Sequence, residues 1–288
     1  MNTAQSFEGS REVRPVKVIR PPHFSPWRVG EHLRHLFHYR DLLLTLTHHR
    51  IRVRYKQSML GLGWALLQPL SLMLIYTVIF SVVTKMPSDG APYSIFVYTA
   101  LLPWTFFSNG LTSGSGGLVG NQYLVTKVYF PREILPLSYV LAALFDLAIA
   151  SAVLGGMMIY YRIPITPHVL WAAPIIGVMI VFLTAIAILL SAIQVWFRDI
   201  GLAMPLLLQL WMFASPVVYP LNAVPAHLRD YYVLNPMVGV VENFRRVILQ
   251  AKEPEMHSLV IAAAISLIAL PVSYAYFKQR EATMADII

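Results

Sequence analysis

Six separate runs of this sequence are long and oily enough to cross a lipid bilayer, and no other feature restricts its architecture as much. A helix advances about 1.5 Å per residue, so about 20 apolar residues cross the roughly 30 Å hydrocarbon core. Runs of that kind fall at 60–84, 92–118, 135–161, 168–194, 200–218 and 257–277. The expected fold is therefore an all-α polytopic membrane protein with six transmembrane helices spread over residues 58–288. Composition supports this. With 57% hydrophobic and 12% charged residues, and a mean hydropathy of +0.60, 288 residues have too little polar surface to cover a soluble globule.

The basic residues fix an orientation. An even number of spans puts both termini on one side, and the positive-inside rule identifies that side. Sixteen of the 22 Lys and Arg fall in 1–60, 119–133, 195–199 and the C-terminal tail, so both termini are expected in the cytosol. The net charge of +8 does not indicate nucleic acid, because the cations cluster where apolar runs end; anionic lipid headgroups are the expected partner. Arg50, Arg52, Arg54 and Lys56 alternate just before the first run and hold its start at the headgroups. Residues 1–30, with Pro15, Pro21, Pro22 and Pro26, lack the apolar core of a cleavable signal and read as a disordered cytosolic tail. Residues 31–57 place Leu33, Leu36, Phe37, Leu43, Leu44 and Leu46 among His and Arg, the pattern of an amphipathic helix lying along the cytosolic surface. Such a helix serves as a lipid anchor or as a platform for a partner, and its basic end carries Arg50, Arg52, Arg54, Tyr55 and Lys56.

Two connections have patterns of their own. Over 121–133, Asn121 suits a helix cap and Pro131 a stop, leaving a stub with Tyr123, Lys127, Tyr129 and Phe130 on the cytosolic side. It reads either as a docking element for another protein or as an interfacial aromatic anchor. The connection 216–256 is the longest. Asn235 and Pro236 form a cap and first turn, and Met237, Val240, Val241, Phe244 and Ile248 mark one apolar face of a helix of about 21 Å, too short to span. With a preceding stub at Pro225 to Tyr232 it makes a hairpin re-entering the outer half of the membrane, or a packed surface helix. Its polar side offers Glu242, Asn243, Arg245 and Arg246 as an outer gate or a contact for an anionic carrier lipid.

The segments "RYKQSMLGLGWALLQPL" (54–70), "KVYFPREILPLSYV" (127–140), "WFRDIG" (196–201) and "LNPMVGVVENFRRVIL" (234–249) stand in an order that resembles one family over roughly residues 40 to 280. This is the permease subunit of bacterial polysaccharide exporters of the second ABC-exporter class, which move lipid-linked O-antigen, capsule, teichoic acid or related glycans. The resemblance implies a homodimer in the bacterial inner membrane, working with two copies of a separate ATP-binding subunit that holds ATP and Mg²⁺. It also implies that the 121–133 stub is a coupling helix touching that ATPase through Tyr123, Lys127, Tyr129, Phe130, Arg132 and Glu133. A path between the first and fifth spans of the two subunits is implied as well, with the re-entrant hairpin beside its exit.

The chain itself lacks G-x-x-x-x-G-K-[ST], and the glycine-rich 109–121 carries no Lys-Ser or Lys-Thr to complete a phosphate loop. No enzymatic role is expected; nucleotide hydrolysis belongs to a partner. Gly110 with Gly114, and Gly116 with Gly120, fit the spacing that lets helices approach closely, within the subunit or across a dimer. Tyr76, Phe80, Trp104 and Phe107 are the candidate lining of a glycan path, because aromatic faces suit the C–H faces of sugars; packing is the alternative. Asp146 lies about 16 Å into its run with no charged partner at that depth evident in the sequence. It reads as a proton-coupling group or as an acceptor of bonds from Ser, Thr or Tyr on a neighbouring helix. His32, His35 and His38 lack the acids or cysteines of a metal set, and Arg198 with Asp199 suits a turn or a gate. Three other functions remain in competition. They are export of a small lipid or drug, an ion-coupled carrier, which would require paired intramembrane charges and inverted repeats where the sequence offers one acid and no obvious repeat, and a glycan-transferring enzyme, which would require clustered acids or a metal set.

Overall fold

The computed structural model describes residues 37–56 and 58–288, whose regular secondary structure is helix, with no strand among the described residues. The expected tail 1–30, with Leu33 and Leu36, lies outside the described residues. The helices are α1 (Arg40–Lys56), α2 (Gly63–Tyr76, continued by a wide π-helical turn Thr77–Val83), α3 (Tyr93–Ser115), α4 (Gln122–Lys127) and α5 (Ile134–Tyr160). They continue as α6 (Ala172–Trp196), α7 (Asp199–Phe213), α8 (Ala226–Tyr232), α9 (Pro236–Leu249) and α10 (Met256–Ile287). Helices suit such a chain because each N–H and C=O is paired within its own segment, which lipid demands. Four segments are both long and apolar enough to cross a membrane: Gly63–Val83, Ile134–Tyr160, Pro167–Trp196 and Met256–Ile287. The other two expected runs differ for separate reasons. Helix α3 has the length, 23 residues, but carries Thr, Ser, Asn and Gly along it; α7 is apolar but only 15 residues, about 22 Å.

Helix α3 is the centre of the bundle. From Ile95 to Leu102 every residue is buried, and α5, α6, α9, α2 and α7 pack around it. The small-residue pair explains the tight contact with α6. A Cβ on Gly110 would sit 2.7 Å from Leu183 Cδ2, and one on Gly114 would sit 3.1 Å from Ala187 Cβ, so this pair serves packing inside the subunit. Gly120 has no such neighbour. Helix α9 approaches α10 through Gly239, where a Cβ would meet Ser258 O at 2.6 Å. By contrast α2 is barely buried, and it leaves Leu74, Ile75, Val78, Val82 and Val83 exposed; α7 likewise exposes Leu202, Leu206, Leu207 and Leu210.

Alternating helix directions gather α1, α4, the start of α5 and the end of α10 at one end of the bundle, and α8, α9 and the start of α10 at the other. A second apolar cluster closes the first end, joining Val125, Phe130, Ile134 and Leu135 to Val195, Phe277 and Met284. Helix α1 does not keep to that end alone. It packs along α5, with Arg50 over the Tyr139 ring at 4.2 Å and Arg54 and Tyr55 bonded to Asp146, so its last turn reaches about 18 Å along α5. This corrects the expectation that Asp146 lacks a charged partner: the Tyr donor is there, and Arg54 joins it from a helix the sequence reading laid flat on the surface.

Candidate functional site

The first candidate region grows from that contact. Both carboxylate oxygens of Asp146 are engaged: Oδ2 accepts from Arg54 Nη1, and Oδ1 accepts from the Tyr55 hydroxyl at 2.5 Å. Burial, followed by the bond to Asp146, pushes the Tyr55 hydroxyl up to about 12, so it stays a donor. Arg50 Nη2 bonds Asn121 Oδ1 at 2.9 Å, and Asn121 Nδ2 donates to Gly117 O at 2.6 Å. Asn121 therefore stands at the cap position of α4 without capping it, because its side chain is spent on α1 and α3. Among the described residues Arg52 bonds His48, and Lys56 is exposed. Beside Arg54 and Asp146 opens a cavity of about 370 Å³ between α1, α2, α3 and α5. Its wall includes Gln68, Asn109 and Thr112, which the sequence reading passed over; amides inside otherwise apolar runs were the available signal.

The second region is α4 and the loop after it. Tyr123 and Tyr129 are 75% and 67% exposed, and Lys127 is exposed with them. The other three expected coupling residues turn inward. Phe130 belongs to the second apolar cluster, while Glu133, 2% exposed, accepts from Lys278 Nζ at 2.8 Å and from the Tyr274 hydroxyl at 3.1 Å. Arg132 holds Glu281 through its backbone N–H at 3.2 Å and through a guanidinium bond to the Glu281 carbonyl. Lys278 also bonds Glu281 at 2.9 Å, and Arg280 lies 5.5 Å from the Trp196 ring. An exposed tip carrying Tyr123, Lys127 and Tyr129 thus stands on a base riveted to the end of α10. The i, i+3 pair Lys278 and Glu281 at the close of the last run was the sequence signal for that base. Arg198 and Asp199, in the α6–α7 turn at the same end, are both exposed.

At the opposite end Asn235 caps α9 as expected, accepting from the Met237 N–H at 3.1 Å, and it also accepts from Trp211 Nε1 at 3.0 Å. Met237, Val240, Val241, Phe244 and Ile248 are all buried. The polar residues of α9 do not share one exposed side. Arg245 is fully buried over the Phe96 ring at 3.8 Å, donating to Glu242 Oε2 at 3.1 Å, Pro216 O at 2.8 Å and Val217 O at 3.1 Å. Asn243, also fully buried, bonds Gly239 O, Ser258 Oγ and the Glu255 N–H. These two tie α9 to the 216–217 turn and to α10. Glu242, Arg245 and Arg246 border a second cavity of about 760 Å³ with Asp89, Asn222 and Lys252. Burial pushes the Glu242 carboxyl up, and the Arg245 guanidinium opposes it.

The candidate lining aromatics divide in the same way. Phe107 is fully buried between Phe182, stacked at 5.7 Å, and Trp211, edge-on at 5.1 Å, and Trp104 lies 5.9 Å from Phe107. These two rings fill the chain's own core because α3 is its central helix. Tyr76 and Phe80 remain half-buried on α2, where the Tyr76 hydroxyl reaches Met212 Sδ on α7 at 3.6 Å.

The ABC-2 type transporter profile matches residues 41–249 of this chain. The O-antigen export system permease protein RfbA of Myxococcus xanthus is 33% identical over 260 residues, covering 89% of this chain and 98% of that protein. RfbA of Klebsiella pneumoniae is 28% identical over 207 residues, 71% of this chain and 79% of that protein. The polysialic acid transport protein KpsM of Escherichia coli is 26% identical over 242 residues, 81% and 91% of the two chains. A profile that runs from α1 to the end of α9, and a relative matched along nearly its whole length, place this multi-pass membrane protein in the ABC-2 type transporter family, to which it belongs.

Proposed function

We propose that this chain is the membrane subunit of an ATP-driven exporter of lipid-linked polysaccharide, of the kind named for its O-antigen and polysialic acid relatives. In this reading α2, α3, α5, α6, α7 and α10 are six spans of a bacterial inner-membrane protein, and α1, α4 and both termini face the cytosol. Two copies assemble with two copies of a separate ATPase, which binds ATP and Mg²⁺. The path runs between α2 and α7 of the two copies, the helices whose apolar faces the chain leaves least covered. Helices α8 and α9 form a re-entrant hairpin at the outer side.

One observation carries the reading beyond the family. The α4 tip presents Tyr123, Lys127 and Tyr129 outward while its base is fixed to α10 by Glu133, Lys278 and Arg132. An exposed tip alone could be a lipid anchor, but a tip on a buried ionic base transmits a push instead of bending under it. The test is reconstitution with a cognate ABC ATPase subunit. Proteoliposomes are expected to move a lipid-linked glycan only with ATP, and Tyr123→Ala with Tyr129→Ala is expected to abolish movement while the chain stays folded. Movement by the chain alone on a proton gradient would overturn the reading.

A further inference from the structure

We propose that the cavity between α1, α2, α3 and α5 is a carbohydrate subsite, taking a neutral pyranose between Gln68, Asn109 and Asp146 with Trp64 as its stacking platform. This rests on the polysaccharide reading and names residues that contact the substrate.

Size, polarity and charge converge on that ligand. At about 370 Å³ the cavity is within the range of small-ligand pockets. Gln68 and Thr112 are exposed and Asn109 is half-buried, so the space they share opens outward, and an amide from α2, an amide and a hydroxyl from α3 and a carboxylate from α5 converge on it where a ligand can reach them. Gln68 and Asn109 meet each other only at 3.5 Å, Asn109 Nδ2 to Gln68 Oε1, which leaves the Gln68 amide nitrogen and the Asn109 amide oxygen for a guest. A donor and an acceptor side by side match the vicinal hydroxyls of a sugar.

The cavity does not suit an anion. Its one guanidinium, Arg54, is already paired with Asp146, so the two charges cancel and no surplus positive charge is left for a diphosphate. The pair has another use. Arg54 and Tyr55 hold both oxygens of Asp146 in place, and each oxygen keeps a lone pair to accept from a sugar hydroxyl, an acceptor oriented before the ligand arrives. Trp64 completes the set. It is 54% exposed, whereas Tyr93, Phe96, Tyr98, Trp104, Phe106 and Phe107 are buried in the core, so the Trp64 indole is open to the C–H face of a ring. Trp64 and Gln68 lie in the first turns of α2, and Asn109 and Thr112 in the last turns of α3, so the cavity sits toward the end from which a cytosolic glycan enters.

The experiment uses the full complex with its ATPase in nanodiscs, titrated calorimetrically with neutral tetrasaccharides of glucose, galactose, mannose and rhamnose, and separately with inorganic pyrophosphate. At least one tetrasaccharide is expected to bind, and any pyrophosphate uptake is expected at the ATPase alone, unchanged by Arg54→Gln. Gln68→Leu with Asn109→Leu, two neutral hydrogen bonds removed at nearly constant volume, is expected to weaken binding about tenfold. Trp64→Phe is expected to retain most of the affinity and Trp64→Ala to lose it; the exposed indole can be truncated without touching the core. Failure of every tetrasaccharide to bind, or binding unchanged by all three variants, overturns the subsite, as does pyrophosphate binding that Arg54→Gln abolishes. Glycan export by the same unmodified complex is measured in parallel: export with an indifferent cavity sinks only the subsite, whereas no export sinks the function and the subsite together.

Discussion

Replacing Arg245 by methionine separates a structural staple from a gate. The guanidinium is fully buried and donates to the Glu242 carboxylate and to the carbonyls of Pro216 and Val217, with its face on Phe96. Methionine fills much of the volume and supplies no donor. The carboxylate, 17% exposed at the cavity wall, is then left without its cation and the two carbonyls lose a shared charged donor, for a cost of about 3 kcal/mol, the low end for broken buried pairs. For a chain of this size that corresponds to a fall in melting temperature on the order of 10 °C. Adding Glu242→Gln to the same chain removes the stranded charge, so about 1–2 kcal/mol should return; the remainder belongs to the two carbonyls, which the glutamine cannot reach. Arg245→Lys keeps the charge but lacks the planar fork that spans three acceptors, and it should fall between the parent and Met. Unfolding in mild detergent, followed by near-ultraviolet circular dichroism and by an SDS titration, measures all four proteins. A methionine variant within about 1 kcal/mol of the parent, yet altered in transport, would refute the staple and restore the gate.

The base of α4 gives a parallel expectation: Lys278→Met should destabilise by about 3 kcal/mol and Lys278→Met with Glu133→Gln by clearly less, read in the same unfolding assay. Phe130→Ala should cost about 3–5 kcal/mol by opening the second apolar cluster, whereas Tyr123→Ala should leave stability within about 0.5 kcal/mol and show its effect in ATPase pull-down and glycan movement. Gly114→Ala should destabilise, since its methyl meets Ala187 Cβ at 3.1 Å with no flexible end to yield, while Gly120→Ala should be neutral or stabilising by up to about 1 kcal/mol. Thermal midpoints of the two alanine variants, measured side by side, decide between packing inside the subunit and packing across a dimer for each glycine pair.

What the sequence made legible follows from periodic signals. Apolar runs pointed to the long helices, and Asn235 with Pro236 to the start of α9 and to five of its buried residues, because a cap and a 3.6-residue stripe are local properties; Val238, Val247, Asn243 and Arg245, off that stripe, are buried too. Side-chain partners across 70 or more residues are not local. Nothing in the neighbourhood of Asp146 announces Arg54, and nothing near Glu133 announces Lys278; both pairs exist because bundle topology brings distant turns together. The same limit explains the aromatics. A tryptophan and a phenylalanine three residues apart on an apolar helix look alike whether that helix is central or peripheral, and α3 proved to be central. The α9 polar residues follow suit: a charged residue reads as surface until its acceptors, here two carbonyls in a turn 28 and 29 residues earlier, are known.

Unequal burial across the bundle bears on how such a chain works. Helices α3, α5, α6, α9 and α10 share a continuous core, held by close glycine contacts and buried polar ties such as Asn243 and Arg245. Helices α2 and α7 join it through fewer contacts, and one link between them is a long hydroxyl-to-sulfur contact from Tyr76 to Met212. Elements with little buried surface are the ones that move at low cost, so rearrangement should concentrate in α2 and α7 while the block behind them stays fixed. Helix α2 is also tied to α1 by only six residues of chain, and α1 is pinned to α5 at Asp146. A displacement of α2 must therefore turn about the Arg54 and Tyr55 contacts or break them. Asp146→Asn, which keeps the shape and weakens the ionic half of that pin, should raise hydrogen–deuterium exchange in α1 and the first turns of α2 and leave α3 and α9 unchanged. Exchange rising instead in α3 would mean that the pin supports the core and that α2 does not pivot on it.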